Sequence, residues 1–298
     1  MVFLRELKGE LKNLLTGRGF FLCIVFTTLL CFTSNLYVAG FGGEKFMILE
    51  SIFRFDWDFK CNDPQFFFPD VIRFGKESYI TLFVPILTAY ISIPLLCDEY
   101  RSGYARFRIF RGRRDAFYAS KYLSAGIAAG VAVAIGFLCF SLLVLHTFPG
   151  IRDVSPDMAE ILAAFYGGAK NLEGMGIAKL IFIDSLQMFF YGALAVVPSF
   201  LLSGFSKNKY ILLCIPFFMK YATDQWCQRI MSGVSAGDYG FDSLLYRVSR
   251  VIDPEAVADY SHSELMLPVA IYSLTVFTVG LLGYICIERH HVDVGEGE

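Results

Sequence analysis

Apolar residues along this chain gather in long uncharged runs separated by polar stretches. Residues 20–43, 78–97, 122–151 and 265–287 contain no Asp, Glu, Lys or Arg. Residues 185–206 are equally clean, with 181–184 ahead of them. A helix needs about 20 apolar residues to cross the hydrocarbon core of a bilayer. Only helices and closed barrels satisfy their backbone polar groups there. The runs therefore predict helical spans near 20–41, 78–97, 121–147, 181–204 and 265–287. A sixth run, 210–219, is ten residues long and holds Pro216. Extended through Lys220 to Thr223 it becomes a span near 209–223, short enough to be re-entrant or buried against neighbours instead. The expected fold is an all-α membrane protein of about six transmembrane helices, treated as one domain over 1–298.

The first 19 residues have a different period. Phe3, Leu4, Leu7, Leu11, Leu14 and Leu15 fall within about 120° of arc at 100° per residue. Arg5, Glu6, Lys8, Lys12 and Asn13 take the rest. A basic amphipathic helix directly before a span suits the membrane interface. Gly17 and Gly19 permit a sharp bend into the first span. That span is read as retained, because its apolar run exceeds a signal-peptide core and 19 residues precede it.

Composition agrees with the pattern. Hydrophobic residues make up 55% of the 298 and charged residues 18%, with 31 Phe and 16 Tyr; a soluble domain carries about a quarter charged residues. The net charge of −2 gives no support to a nucleic-acid binder. The eight cysteines lie mostly inside apolar runs, as small packing residues do. Cys61 and Cys227 lie in the outer loops, and spacing alone leaves a disulfide between them undecided.

Charge position orients the spans. Short cytoplasmic loops are enriched in Lys and Arg. Arg5, Lys8, Lys12 and Arg18 precede the first span, and Lys207 and Lys209 sit in "SKNK". Between spans two and three lies "DEYRSGYARFRIFRGRRDAFYASK", residues 98–121, with Arg101, Arg106, Arg108, Arg111, Arg113 and Arg114 and then Lys121. These segments are expected in the cytosol, with the N-terminus there and, for six spans, the C-terminus too. The longer, more acidic loops are expected outside. Topology needs fewer arginines than 98–121 holds. Tyr100, Tyr104, Phe107 and Phe110 recur at spacings of four and three, an apolar helical stripe beside Arg101, Arg106 and Arg108. Asp115 is expected to cap the third span. Such a helix fits a groove on a soluble partner, or anionic headgroups through its arginines.

At this point the chain resembles a family. An acidic residue, a basic residue, Gly, a short amphipathic stretch, an Arg-containing turn and "Ser-Lys" leading into a span are the layout of permease subunits of ABC-2 type exporters. The matching residues are Glu99, Arg101, Gly103, Arg111, Arg113, Arg114, Ser120 and Lys121. The N-terminal helix resembles that family's elbow helix. The chain departs from the pattern in having no proline in "RGRR" and Tyr104 after the glycine. The resemblance implies a cell-membrane exporter subunit that pairs with a second permease copy or homologue. It implies that the loop 98–120, Arg106 and Arg108 included, couples to a cytosolic ABC ATPase.

No GxxxxGK[ST], HExxH or GxSxG occurs, so an ATPase, zinc-protease or serine-hydrolase reading has no motif. The chain is expected to be non-catalytic, with no cofactor and no metal. His290 and His291 lie past the last span, and His146 near the outer end of the third. Asp184 is the charge nearest a span interior. Such carboxylates are functional suspects, but Lys179 nearby favours the outer interface over a proton relay. Lys220 and Asp224 stand at i and i+4, a pairing distance. The alternative reading is an ion-coupled carrier, or another polytopic membrane protein without its own ATPase; a carrier calls for mid-membrane polar groups and an inverted repeat, which the sequence does not display. The cargo is open, as is homodimer against heterodimer.

The outer loops carry their own signals. Trp57, Phe59 and Phe66 to Phe68 suit the outer interface or a cap over the exit, and 242–252 has the spacing of a short helix. Loops of this length usually fold onto their own spans.

Overall fold

A computed structural model describes residues 2–38, 44–76, 79–103, 105, 109, 114–233 and 266–295. The chain is mostly helical, with a two-stranded hairpin after the second helix. Helix α1 (Val2–Leu15) leads into α2 (Arg18–Phe32) through a bend of 56° at Thr16–Gly17. Next come β1 (Asn35–Val38), β2 (Glu44–Met47), α3 (Ile48–Arg54), α4 (Trp57–Asn62) and α5 (Phe68–Phe74). The long helices are α6 (Tyr79–Arg101), α7 (Arg114–Thr147), α9 (Met175–Ala195), α11 (Lys209–Gly233) and α12 (Met266–Gly295). Short α8 (Pro156–Phe165) precedes α9, and α10 (Val197–Ser203) follows it at a break beside Pro198.

Among the described residues four helices are long and apolar enough to cross a membrane: Tyr79–Arg101, Arg114–Thr147, Met175–Ser203 and Ala270–His290. The bent pair α1–α2 makes a fifth if read as one span. Helix α11 is long enough, but Lys220 and the polar residues after it lower its apolar content.

The first span corrects the expectation of a helix near 20–41. Helix α2 ends at Phe32 after 15 residues, which at 1.5 Å per residue make about 22 Å. The polar triplet Thr33-Ser34-Asn35 stops it. The apolar residues that follow go into a strand, with Leu36 paired to Phe46 and both buried. Side chains alternate faces along a strand, so exposed Lys45 and Met47 flank buried Phe46. The helices also overrun their apolar windows. Helix α6 continues to Arg101, α7 begins at Arg114, and α12 runs on to Gly295.

Helix α7 is the axis of the bundle, packed against α1, α2, α6 and α9. Its buried face is built of small residues, including Ala125, Ala128, Ala129 and Ala132. Small residues let transmembrane helices approach closely. At Gly130 a Cβ would stand 2.7 Å from the carbonyl oxygen of Phe189 on α9, and at Gly136 2.9 Å from that of Ile24 on α2. Thr28 Oγ1 donates across the second crossing to the Gly136 carbonyl at 2.8 Å. A backbone oxygen held in a helix has little room to yield. Gly130→Ala is therefore expected to destabilise the protein by about 1–3 kcal/mol through overpacking. Gly9→Ala on α1, where nothing lies within 4 Å, serves as control and should be neutral or slightly stabilising. Thermal unfolding in detergent compares the two.

Of the two places expected for Phe66, Phe67 and Phe68, the outer interface or a cap over the exit, the structure gives them a cap. All three are fully buried. Phe66 lies 5.2 Å from Phe55 and 6.3 Å from Phe148, centroid to centroid. With Phe46 and Phe59 they form the core of a small cap on one end of the bundle. The Phe68 N–H donates to Pro149 O and ties the cap to the end of α7. Trp57 is exposed.

Within the cap, the Tyr166 hydroxyl donates to Asp70 Oδ1 at 2.6 Å. Burial raises the Asp70 carboxyl above its ordinary value, against the opposing pull of Tyr166 and then Arg73. A raised carboxyl pKa means that the folded state holds the proton more tightly than the unfolded chain. This contribution is therefore full below the unfolded value, near 3.8, and is lost as pH rises through the folded one. Asp70→Asn keeps an acceptor for Tyr166 and removes the titration. The melting temperature of the variant relative to wild type should rise between pH 4 and pH 7. A difference that does not change with pH contradicts this.

Candidate functional site

Apart from Lys60 inside the cap, the charged residues that the fold buries collect at two places. The larger collection is at the bundle end opposite the cap. Lys121, two turns into α7, is 6% exposed. Its Nζ donates to Glu10 Oε2 of α1 and to Glu99 Oε1 at the end of α6, each at 2.6 Å. Glu10 is also 6% exposed. The Phe117 ring, one turn back on α7, lies 5.8 Å from the ammonium. One cation thus fastens three helices.

Local geometry explains how Glu99 reaches this point. Gly103 has φ +72°, the left-handed conformation that ends many helices. Ser102 N–H donates to Asp98 O at 2.9 Å and Gly103 N–H to Tyr100 O at 3.2 Å. The stop comes after Arg101 rather than at Cys97, so α6 carries Glu99 in its last turn, facing α7. Asp115 lies inside the first turn of α7 rather than before it, and accepts from Arg289 Nε of α12 at 2.8 Å. Lys207 donates to the buried Glu288 at 3.1 Å and stands 3.8 Å above the Tyr100 ring. These pairs bring α1, the ends of α6 and α12, the start of α7 and the 206–209 turn to one end of the bundle.

The residues singled out from sequence divide accordingly. Glu99 and Lys121 meet. Gly103 ends a helix. Arg101 is exposed and Arg114 half-buried in the first turn of α7. Ala105 is buried and Ile109 packs against the core. Arg106, Arg108, Arg111 and Arg113, with the stripe residues Tyr104, Phe107 and Phe110, lie outside the described residues. So do 242–252 and the side chains of Asp224, Cys227 and His291. Cys61 is half-buried and carries a free thiol.

Sequence reading missed Glu10, Glu288 and Arg289. Glu10 left a signal: at 100° per residue it sits about 20° outside the apolar arc of α1, beside Phe3. An acid at the rim of an apolar face is a candidate for a buried partner.

The second collection lies near the cap. Lys76, 3% exposed, binds Asp184 of α9 and donates to Gln187 Oε1 at 3.0 Å. Asp184 is thus matched by a cation ahead of α6, and Lys179 is not its partner in this pair. Tyr191 donates to Thr81 O one turn deeper. His146 is exposed in the last turn of α7 and His290 near the end of α12. Among the described residues no three His, Cys, Asp or Glu side chains are grouped to hold a metal.

A cleft of about 340 Å3 opens beside the Lys121 node, between α1 and α6, and reaches Phe200 of α10. The sequence matches no protein-family model and no curated protein.

Proposed function

We propose that this chain is a permease subunit of an ABC-2 type exporter, driven by a separate cytosolic ATPase. The observation that carries the reading is the Glu10–Lys121–Glu99 node. The basic segment 98–121 joins two of the three helices that this node fastens. A partner that pushes on the segment moves α1, α6 and α7 together, as a rigid-body shift requires. A loop with only a topological role needs no such anchorage.

Lys and Arg density supports a cytosolic position for that end of the bundle. Both α1 and the end of α12 belong to it, which calls for an even number of crossings. With α2, α6, α7, α9–α10, α11 and α12 the count is six, and α1 is the interfacial elbow. The outward faces of α2 (Phe21, Val25, Phe26, Leu29) and α12 (Ile271, Leu274, Val279, Leu282) are apolar and exposed, as lipid or a second permease requires.

The test is association. The chain, expressed with the ATPases of its host, should co-purify with a P-loop ATPase. Arg106→Glu, Arg108→Glu and Arg111→Glu combined should reduce that recovery at least tenfold without changing the elution profile of the chain. Undiminished recovery would reduce the arginines to a topology signal.

A further inference from the structure

The hairpin fixes the height at which the cap begins. Asn35 of β1 pairs with Met47 of β2, and the Ile48 N–H donates to Ser34 O at 2.9 Å. Helix α3 therefore starts at the level where α2 has just ended. Arg18, charged and exposed, opens α2, so the hydrocarbon core begins near that residue. The 15 residues of α2 rise about 22 Å, and tilt shortens their reach across the bilayer. The core is about 30 Å thick. The start of α3 then lies about 8 Å inside its far edge.

The surface of α3 suits that depth. At 100° per residue, buried Ile48 and Ser51 and half-buried Ile52 take one side. Leu49 and Phe53 form an exposed ridge next to them, with Phe53 84% exposed. Glu50 and Arg54 take the third side and pair with each other at 2.6 Å. Met47, just ahead, is exposed as well. An exposed apolar side chain surrounded by water needs no explanation. This ridge, however, stands at the level of lipid, about one turn beyond the exposed Leu29 of α2.

We propose that α3 is an interfacial helix seated in the phospholipid leaflet on the cap side. Leu49 and Phe53 lie among the upper acyl chains, and the Glu50–Arg54 pair lies at headgroup level. Helices of this kind bury an apolar face about 5–10 Å deep at the headgroup boundary, which matches the depth set by α2. The ion pair carries no net charge, so the seat depends on acyl chains rather than on anionic headgroups. The inference rests on α2 being a crossing, as the six-span count has it, and not on the ATPase.

The experiment measures depth with a single tryptophan in the full chain, after Trp57→Phe and Trp226→Phe remove the two native ones. Phe53→Trp, Phe26→Trp and Glu44→Trp all replace exposed residues. The variants are placed in phosphatidylcholine vesicles, with or without bromine in the upper half of the acyl chains. Emission of Phe53→Trp should fall about twofold with brominated lipid and change little with iodide in the water, as a ring among upper acyl chains requires. Glu44→Trp, at the end of the hairpin, should respond to iodide and not to bromine. Phe26→Trp, midway along α2, reports whether α2 crosses at all. Quenching at 26 with iodide access at 53 overturns the proposal alone. Position 53 shielded from both quenchers also overturns it, because a protein surface then covers the ridge. No bromine quenching at either 26 or 53 overturns the six-span count and the proposal together.

Discussion

Lys121→Met is expected to destabilise the protein by about 3–5 kcal/mol, the cost of removing one partner from a buried ion pair. Methionine matches lysine in length, so little cavity forms. The loss comes from Glu10, which stays almost fully buried beside a second carboxylate with the ammonium between them gone. Two further substitutions separate electrostatics from packing. Glu10→Met and Glu99→Gln, added to Lys121→Met, remove both carboxylates of the node and should recover most of the loss, because replacing a whole buried ion pair is often neutral. Thermal unfolding in detergent, read for the single and triple variants, gives the comparison. A triple variant no more stable than Lys121→Met would mean that the lysine acts through shape rather than charge.

The second large effect lies at the other end. Asp184→Asn should cost about 3 kcal/mol, at the low end of the range for broken buried pairs. Gln187 Oε1 continues to accept from Lys76 at 3.0 Å and softens the loss. Lys76→Met combined with Asp184→Leu should return toward wild-type stability. The variant also separates the export reading from the carrier reading. A structural pair predicts that Asp184→Asn lowers stability while transport per folded molecule persists. A carboxylate that couples an ion predicts the reverse, intact folding with transport abolished.

The places where the sequence was readable share a physical cause. Uncharged apolar runs locate the long helices because burial in lipid tolerates little else, and 79–101, 114–147 and 175–203 lie where such runs predict. The helix ends were less legible. A hydropathy window stops at the first charges, whereas a helix stops where its backbone must turn. Gly103 sets that point for α6, and Thr33-Ser34-Asn35 sets it for α2 despite the apolar residues beyond. Phe66 to Phe68 read as interface or cap alike, because aromatic content alone does not distinguish a membrane surface from the core of a small cap. The node was half legible. Glu99 and Lys121 stood out by their place in a motif, and Glu10 did not. Pairing across 111 residues leaves no periodic trace beyond the position of Glu10 at the edge of the apolar arc.

The account as a whole turns on which side of the membrane the 98–121 segment faces. A single cysteine in place of Arg108, in a background where the eight native cysteines are replaced by serine or alanine, can be probed in intact cells with a membrane-impermeant maleimide. The account predicts no labelling until the cells are permeabilised, and full labelling afterwards. Labelling from outside intact cells would put the arginines beyond the reach of any cytosolic ATPase and contradict it.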